Sequence, residues 1–142
     1  MSASDSSVLD RDGSGGIDHQ FRAEAASVPV ARRMLASWLA TGAGVEGDRR
    51  AELLLVASEM ASNAVRAGAT WFRLRAWQEN ATIAIEVADD GPGFDAPLRS
   101  VDDVPPLDAE NGRGLFLVRT LVDRCTIFTA DTGTIVRCRV DL

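Results

Sequence analysis

The sequence predicts an α+β domain in which helices cover one face of a mixed β-sheet. Three observations predict this class. Two segments near the N-terminal end carry apolar residues at helical spacing, a hairpin with alternating residues follows, and a further helix and hairpin come after a proline-rich loop. The 142 residues, 46% of them hydrophobic, are enough for one domain with a sizeable core.

The N-terminal part divides into a tail, a strand and a helix. Residues 1–18 are rich in Ser, Asp and Gly, which predicts a disordered tail before a domain spanning 19–142. A short strand is expected over His19–Ala25. Apolar residues at helical spacing predict a helix over Val28–Ala40, with Ser27 as its N-cap.

The middle of the chain predicts a second helix and a hairpin. Asp48 is a plausible cap for a helix that runs to about Val65. Ala69–Gln78 and Ala81–Ala88 both alternate apolar and polar residues, and only Glu79-Asn80 joins them. This pattern is typical of a β-hairpin.

The C-terminal third begins with a long connection. Residues 94–111 are rich in proline and acidic residues without periodicity, which predicts a surface loop that could act as a lid. A helix is expected from about Gly114 to Asp123. Thr126–Ala130 and Thr134–Val140 then form a second hairpin.

The composition excludes several classes of function. The formal net charge of −6 argues against a broad nucleic-acid surface. The chain has no lysine, which excludes the lysine-containing phosphate loop and Schiff-base chemistry. A single histidine, His19, argues against a Ser-His or Cys-His centre and excludes a multi-histidine metal site.

The sequence also indicates the cellular compartment and a possible surface for partners. No apolar run is long enough to span a membrane, and no signal peptide is present, so a cytoplasmic protein is expected. Cys125 and Cys138 are interpreted as reduced core residues. Trp71 and Trp77 alternate with arginines on one strand, which fits either an interface or a packed tryptophan beneath arginine stems.

The second helix carries a polar stripe on an otherwise apolar surface. Glu59, Asn63 and Arg66 follow at i, i+4 and i+7 and therefore share one face. Burying a carboxylate and an amide without partners costs several kcal/mol. The stripe is therefore expected to face a cavity, a ligand or a satisfied hydrogen-bond network, with a solvent-exposed face as the alternative.

Two glycine-containing segments complete the candidate site. Asp89 ends a strand and is followed by Gly91 and Gly93, so a ligand amine could approach its carboxylate closely. Gly112 and Gly114 open the third helix, where free N–H groups and the helix dipole favour a phosphate. Each signal is weak alone.

Taken in order, these three segments resemble the GHKL superfamily of ATPases. The stretch GRGLFLVRTLVDR is similar to the bacterial anti-sigma-factor serine kinases in particular. The resemblance covers about residues 20–142. It implies a two-layer fold with a mixed sheet and helices on one face, and binding of ATP with Mg²⁺.

The resemblance also implies roles for individual residues. Glu59 would be the general base of phosphoryl transfer, and Asn63 would coordinate Mg²⁺. Asp89 would accept a hydrogen bond from the adenine amine, and Thr134 would share that contact through water. The remaining nucleotide-binding positions are Gly91, Gly93, Gly112, Arg113, Gly114 and Leu115.

The resemblance implies an anti-sigma factor that binds a sigma factor and phosphorylates its antagonist, and it suggests a homodimer. One position departs from the kinase pattern, because Ala67 stands where many relatives have histidine. A protein-binding regulator that responds to nucleotide without catalysis therefore remains the alternative.

Overall fold

A computed structural model describes residues 15–91, 118, 120–130 and 132–142. The elements in chain order are β1 (Gly16–Arg22), α1 (Ser27–Thr41), α2 (Gly47–Arg66), β2 (Trp71–Glu79), β3 (Thr82–Asp89), β4 (Arg124–Ala130) and β5 (Gly133–Asp141). β1 thus begins three residues before the expected domain start.

The five strands form one sheet in the order β1-β2-β3-β5-β4. All four pairings between neighbours are antiparallel, where a mixed sheet was expected. β3 and β4 run in the same direction, but β5 lies between them and pairs antiparallel with both. The α+β class, with helices layered on a sheet, is confirmed.

The core lies between the helices and one face of the sheet. Strand alternation places Phe72, Leu74 and Ala76 on this face, and each is at most 1% exposed. Leu35 and Leu39 of α1 are fully buried in the same core. Burial of each large side chain contributes about 1.5–3 kcal/mol, which holds the helix layer against the sheet.

Neither expected cap donates or accepts a capping hydrogen bond. α1 starts at Ser27 itself, with Ala26 before it, and α2 starts at Gly47, with Glu46 before it. Asp48 instead lies in the first turn of α2, where its negative charge interacts favourably with the positive end of the helix dipole. The second helix is therefore stabilised at this end by charge rather than by a side-chain cap.

The third helix is described only in part. Val118, Thr120 and Leu121 are helical, and Val118 is fully buried, which fits the predicted helix at these positions. The loop predicted over 94–111 lies outside the described residues. Among the helices that the structure describes, none is long and apolar enough to cross a membrane.

The sheet face opposite the helices carries a buried charge network. Glu86 on β3 is 3% exposed and accepts hydrogen bonds from Arg137 Nε at 2.9 Å and Arg75 Nη1 at 3.3 Å. Asp18 on β1 is also buried and pairs with Arg73 and Arg75. The network therefore joins four neighbouring strands by charge.

The two tryptophans of β2 differ in exposure. Trp77 is buried, with the Arg75 guanidinium 5.3 Å from its ring centroid. Trp71 is half-buried. At Trp77 the structure thus supports the packed tryptophan beneath an arginine. Because Trp77 is buried, it offers no exposed surface to an interface.

Candidate functional site

The C-terminal ends of α2 and β3 meet at one edge of the domain. α2 ends at Arg66, and the chain turns through Gly68 with a positive φ before β2 begins. A Cβ built on Gly91, just past β3, would lie 3.3 Å from Ala69 Cβ and 3.1 Å from Asp89 Oδ1. Glycine at this position therefore lets the backbone after β3 pack against the chain leaving α2.

Asp90 fixes this junction. Its Oδ1 accepts hydrogen bonds from the backbone N–H groups of Thr70 at 2.7 Å and Trp71 at 3.1 Å. Partial burial opposes ionisation of Asp90, but these hydrogen bonds outweigh it, so the pKa is lowered below its ordinary value of 3.8. Asp90 was not predicted as a functional residue, although two consecutive acids before a glycine are a signal that one of them bonds to the turn.

Asp89 lies on the helix face of the sheet at the same end. It is half-buried, and its Oδ1 accepts one hydrogen bond from the Gly91 N–H at 2.8 Å. Burial raises the pKa of Asp89 above 3.8, and this effect exceeds the opposing effect of that hydrogen bond. A partly desolvated carboxylate with spare acceptor capacity is suited to bind a hydrogen-bond donor of a ligand.

Thr134 on β5 stands directly opposite Asp89 in the β3–β5 register. Thr134 is 6% exposed, and its Oγ1 is buried without a hydrogen-bond partner in the described part of the chain. An unpartnered buried hydroxyl costs about 1–3 kcal/mol. A ligand or bridging water at this position would satisfy it, which is the role that the resemblance assigns to Thr134.

Gly133 allows this close approach. Its φ is 147°, and a Cβ built there would lie 1.8 Å from the backbone oxygen of Asp89. Glycine is therefore required for β5 to pair with the end of β3. From the sequence, Gly133 fits only a hairpin turn, because nothing local in the sequence shows which strand lies beside it.

The stripe on α2 is brought to the same end of the domain. Glu59 and Asn63 are half-buried and Arg66 is exposed. The Arg66 guanidinium donates to Asn63 Oδ1, while Asn63 Nδ2 is buried without a partner among the residues described. Close contact between the chain after α2 and the chain after β3, at Ala69 and Gly91, links this stripe to the Asp89 side of the site.

The donor set at Asn63 is compatible with Mg²⁺. Amide and carboxylate oxygens are the protein ligands that Mg²⁺ takes, usually one or two of them together with phosphate oxygens and water. Asn63 Oδ1 is such an oxygen, and Glu59 lies one helical turn away. Arg66 donates to this same oxygen, so one of its two lone pairs is used by the guanidinium and the other is available to a metal ion.

The described residues include Glu59, Asn63, Asp89, Gly91 and Thr134 of the expected site. The residues outside the described part of the chain are Gly93 of the Asp89 segment and the predicted phosphate cradle, Gly112, Arg113, Gly114 and Leu115. In the described ranges, no group of three His, Cys, Asp or Glu side chains could hold a metal ion. The phosphate cradle therefore stays a prediction, while the Asp89–Thr134 half of the site has a defined geometry.

Comparisons with known proteins agree with this architecture. The model of the histidine kinase-like ATPase domain matches residues 21–140, so the chain belongs to that family. Among solved structures, the fold is similar to the crystal structure of the RsbU and RsbW domains of Rv1364c from Mycobacterium tuberculosis. That similarity has a TM-score of 0.65 at 19% identity, and it covers 88% of this chain and 32% of the other. No curated protein sequence matches the chain.

Proposed function

We propose that this domain binds ATP with Mg²⁺ and transfers the γ-phosphate to a serine of a partner protein. The partner class is an anti-sigma-factor antagonist, and a sigma factor is the protein that the domain sequesters. The observation that carries the proposal is the pairing of half-buried Asp89 with the unpartnered hydroxyl of Thr134, in a chain of the ATPase family.

Recognition of adenine follows from the chemistry of that pair. The exocyclic amine of adenine is a donor, and an ionised carboxylate is an acceptor with room for several hydrogen bonds. Asp89 accepts one from Gly91, and Thr134 Oγ1 can accept or donate beside it. Gly133 also keeps β5 close to the end of β3, because a Cβ there would lie 1.8 Å from the Asp89 carbonyl oxygen, and this pairing holds Thr134 beside Asp89.

The phosphate end of the proposal rests on α2. Bound Mg²⁺ would neutralise charge on the phosphates, and Asn63 Oδ1 would hold the ion. Glu59 would accept the proton of the attacking serine hydroxyl, because a hydroxyl is a poor nucleophile until its proton has an acceptor within reach. Both side chains lie on one face of α2, one turn apart.

The hydrogen bond from Arg66 to Asn63 favours a second candidate function. It uses one of the two acceptor positions of the oxygen that Mg²⁺ would need and places a positive guanidinium beside it, and Ala67 supplies no polar group there. A protein with this arrangement could bind nucleotide and sequester a partner without transferring phosphate. The two functions differ only in turnover, so turnover must be measured.

The experiment is phosphoryl transfer from γ-labelled ATP to candidate antagonist proteins, with Mg²⁺ present. Glu59→Gln should lower the rate by about 10²–10⁴, because general-base catalysis is lost, with little change in ATP affinity. Glu52→Gln is the matched control on the same helix, since Glu52 is partly exposed and pairs with Arg49 at 3.2 Å. Asn63→Ala should lose Mg²⁺-dependent binding and turnover together.

The outcomes separate the two candidates. Transfer by the wild type that collapses in Glu59→Gln but not in Glu52→Gln supports the kinase. ATP binding with no transfer to any partner supports the nucleotide-gated regulator. Transfer at the wild-type rate in Glu59→Gln shows that Glu59 is not the base.

Self-association is a separate part of the proposal. A homodimer through the outer sheet face would use Trp71, which is half-buried, and Phe128, which is 49% exposed on β4. Light scattering should report a dimer that Trp71→Ser weakens. A monomeric wild type at tens of micromolar contradicts the dimer without affecting ATP binding.

A further inference from the structure

The two cysteines of the chain lie opposite each other across β4 and β5. Cys125 and Cys138 are register partners in this antiparallel pair. Both are free, and their Sγ atoms are 2.9 Å apart. The chain has two cysteines in total, so each has one possible intramolecular disulfide partner.

The strand geometry permits a bond between these sulfurs without rearrangement of the backbone. Directly opposed residues of antiparallel strands have Cα atoms about 4.5 or 5.5 Å apart. A disulfide needs a Cα separation of about 4.4–6.8 Å. The thiol contact therefore already has the side-chain orientation that a cross-strand disulfide requires.

From this geometry we propose that the Cys125–Cys138 pair is a peroxide-sensitive modification site that closes to a cross-strand disulfide. Hydrogen peroxide oxidises the Cys125 thiol to a sulfenic acid and is itself reduced to water. The Cys138 sulfur then attacks Cys125 Sγ, and the hydroxyl leaves with the Cys138 proton as a second water. Two thiols and one peroxide thus give one disulfide and two waters.

The order of the two sulfurs follows from exposure. Cys125 is half-buried, whereas Cys138 is 1% exposed. The hydrogen bond with Cys125, together with burial, raises the pKa of the Cys138 thiol well above its usual range, so Cys138 keeps its proton. Peroxide therefore reacts first with Cys125. Cys138, which already contacts Cys125, then reacts with the sulfenic acid to form the disulfide.

Disulfide formation would also change a contact between β5 and α2. Cys138 Sγ lies 3.7 Å from Met60 Sδ, and Met60 follows Glu59 in the sequence. A disulfide consumes the Cys138 S–H group, so the hydrogen bond to Met60 is lost when the cross-link forms. The modification site thus lies inside the core against the helix that carries Glu59, although the proposal does not depend on the proposed function.

The test treats the folded, reduced protein with hydrogen peroxide and analyses it by intact mass and peptide mapping. We expect loss of two hydrogen atoms per chain and a Cys125–Cys138 cross-linked peptide. The product should resist alkylation until dithiothreitol restores two reactive thiols. Peptide mapping separates this product from oxygen added to the methionines. Circular dichroism recorded alongside confirms that the protein stays folded.

Two serine variants test the order of reaction with the sulfenic-acid reagent dimedone. Cys138→Ser should carry the dimedone adduct at Cys125, and Cys125→Ser should carry far less at Cys138. Native protein that stays reduced, or that joins chains through intermolecular disulfides, overturns the proposal. Equal or greater labelling of Cys138 overturns the assigned order. Because the wild-type mass measurement needs no variant, misfolding of a serine variant would still leave the proposal open to refutation.

Discussion

Thr134 faces Asp89 across the β3–β5 pairing, and its hydroxyl is buried with no partner in the described part of the chain. A hydroxyl in this position destabilises the ligand-free fold unless a bound group satisfies it. The same hydroxyl is useful once a ligand arrives. Stability and affinity should therefore respond to Thr134 in opposite directions.

Thr134→Val removes the hydroxyl and keeps the shape of the side chain. The ligand-free protein should be as stable as the wild type or more so, because an unsatisfied buried group is lost. ATP affinity should fall about two- to tenfold, the value of one hydrogen bond. Thermal unfolding and calorimetry measure the two effects. Thr82→Val, at the far end of β3, is the control, since Thr82 donates to Asp141 and should leave affinity unchanged.

Gly133→Ala should be strongly destabilising. The new Cβ would lie 1.8 Å from the Asp89 carbonyl oxygen, so β5 must shift away from the end of β3. Overpacking and strain together should cost at least about 3 kcal/mol of unfolding free energy. Gly44→Ala is the control, because Gly44 has a φ of 68° but open space around it, and should cost about 1–2 kcal/mol. Equal losses in urea unfolding would contradict the close approach.

Glu86→Gln tests the charge network on the outer sheet face. Glu86 is 3% exposed between Arg75 and Arg137, so neutralising it removes charged hydrogen bonds worth about 1.5–3 kcal/mol. Glu79→Gln is the control on the same sheet face, because the Glu79 side chain is 43% exposed and its carboxylate lies 3.6 Å from Arg139, so its loss should cost less than about 1 kcal/mol. Urea denaturation compares them. Similar small losses in both variants would show that Glu86 contributes no more than a surface pair.

The neighbouring acids Asp89 and Asp90 should respond to pH in opposite ways. The folded pKa of Asp89 is raised, so its protonated form contributes stability that is present below pH 3.8 and lost as pH rises through the folded value. The folded pKa of Asp90 is lowered, so its ionised form contributes stability present above pH 3.8 and lost as pH falls through the folded value.

Two asparagine variants turn this into a measurement of melting temperature against pH. At pH 7, Asp89→Asn should match or exceed the stability of the wild type, whereas Asp90→Asn should fall below it. The Asp89→Asn difference should shrink as the pH falls through the raised folded pKa of Asp89 towards 3.8, and the Asp90→Asn difference should shrink as the pH falls from 3.8 towards the lowered folded pKa of Asp90. Loss of stability in Asp89→Asn comparable with that in Asp90→Asn would contradict the assigned environments.

Local patterns predicted most of the fold. Alternation in β2 placed Phe72 and Leu74 on the buried face, and helical spacing placed Glu59 and Asn63 on one face of α2. The helix caps were wrong because their interactions depend on backbone geometry that composition does not show. Antiparallel pairing throughout was not foreseen because it depends on β5 entering between β3 and β4.

The features that sequence reasoning missed depend on long-range pairing. Gly133 is required because of the Asp89 backbone, and Asp90 matters because its carboxylate reaches Thr70 and Trp71. Glu86 lies in a strand of mostly apolar residues. Its burial is explained by arginines on the neighbouring strands, which neutralise its charge. Each of these contacts joins residues that are far apart in the sequence, so a short stretch of sequence does not reveal it.

Calorimetric titration of ATP in the presence of Mg²⁺ tests the central claim most directly. The wild type, Asp89→Asn and Asp90→Asn are compared under conditions where all three are folded. If Asp89 accepts from the adenine amine, Asp89→Asn should bind about ten- to a hundredfold more weakly. Asp90→Asn should retain wild-type affinity, because the Asp90 carboxylate bonds to the protein's own backbone. Unchanged affinity in folded Asp89→Asn would contradict the account.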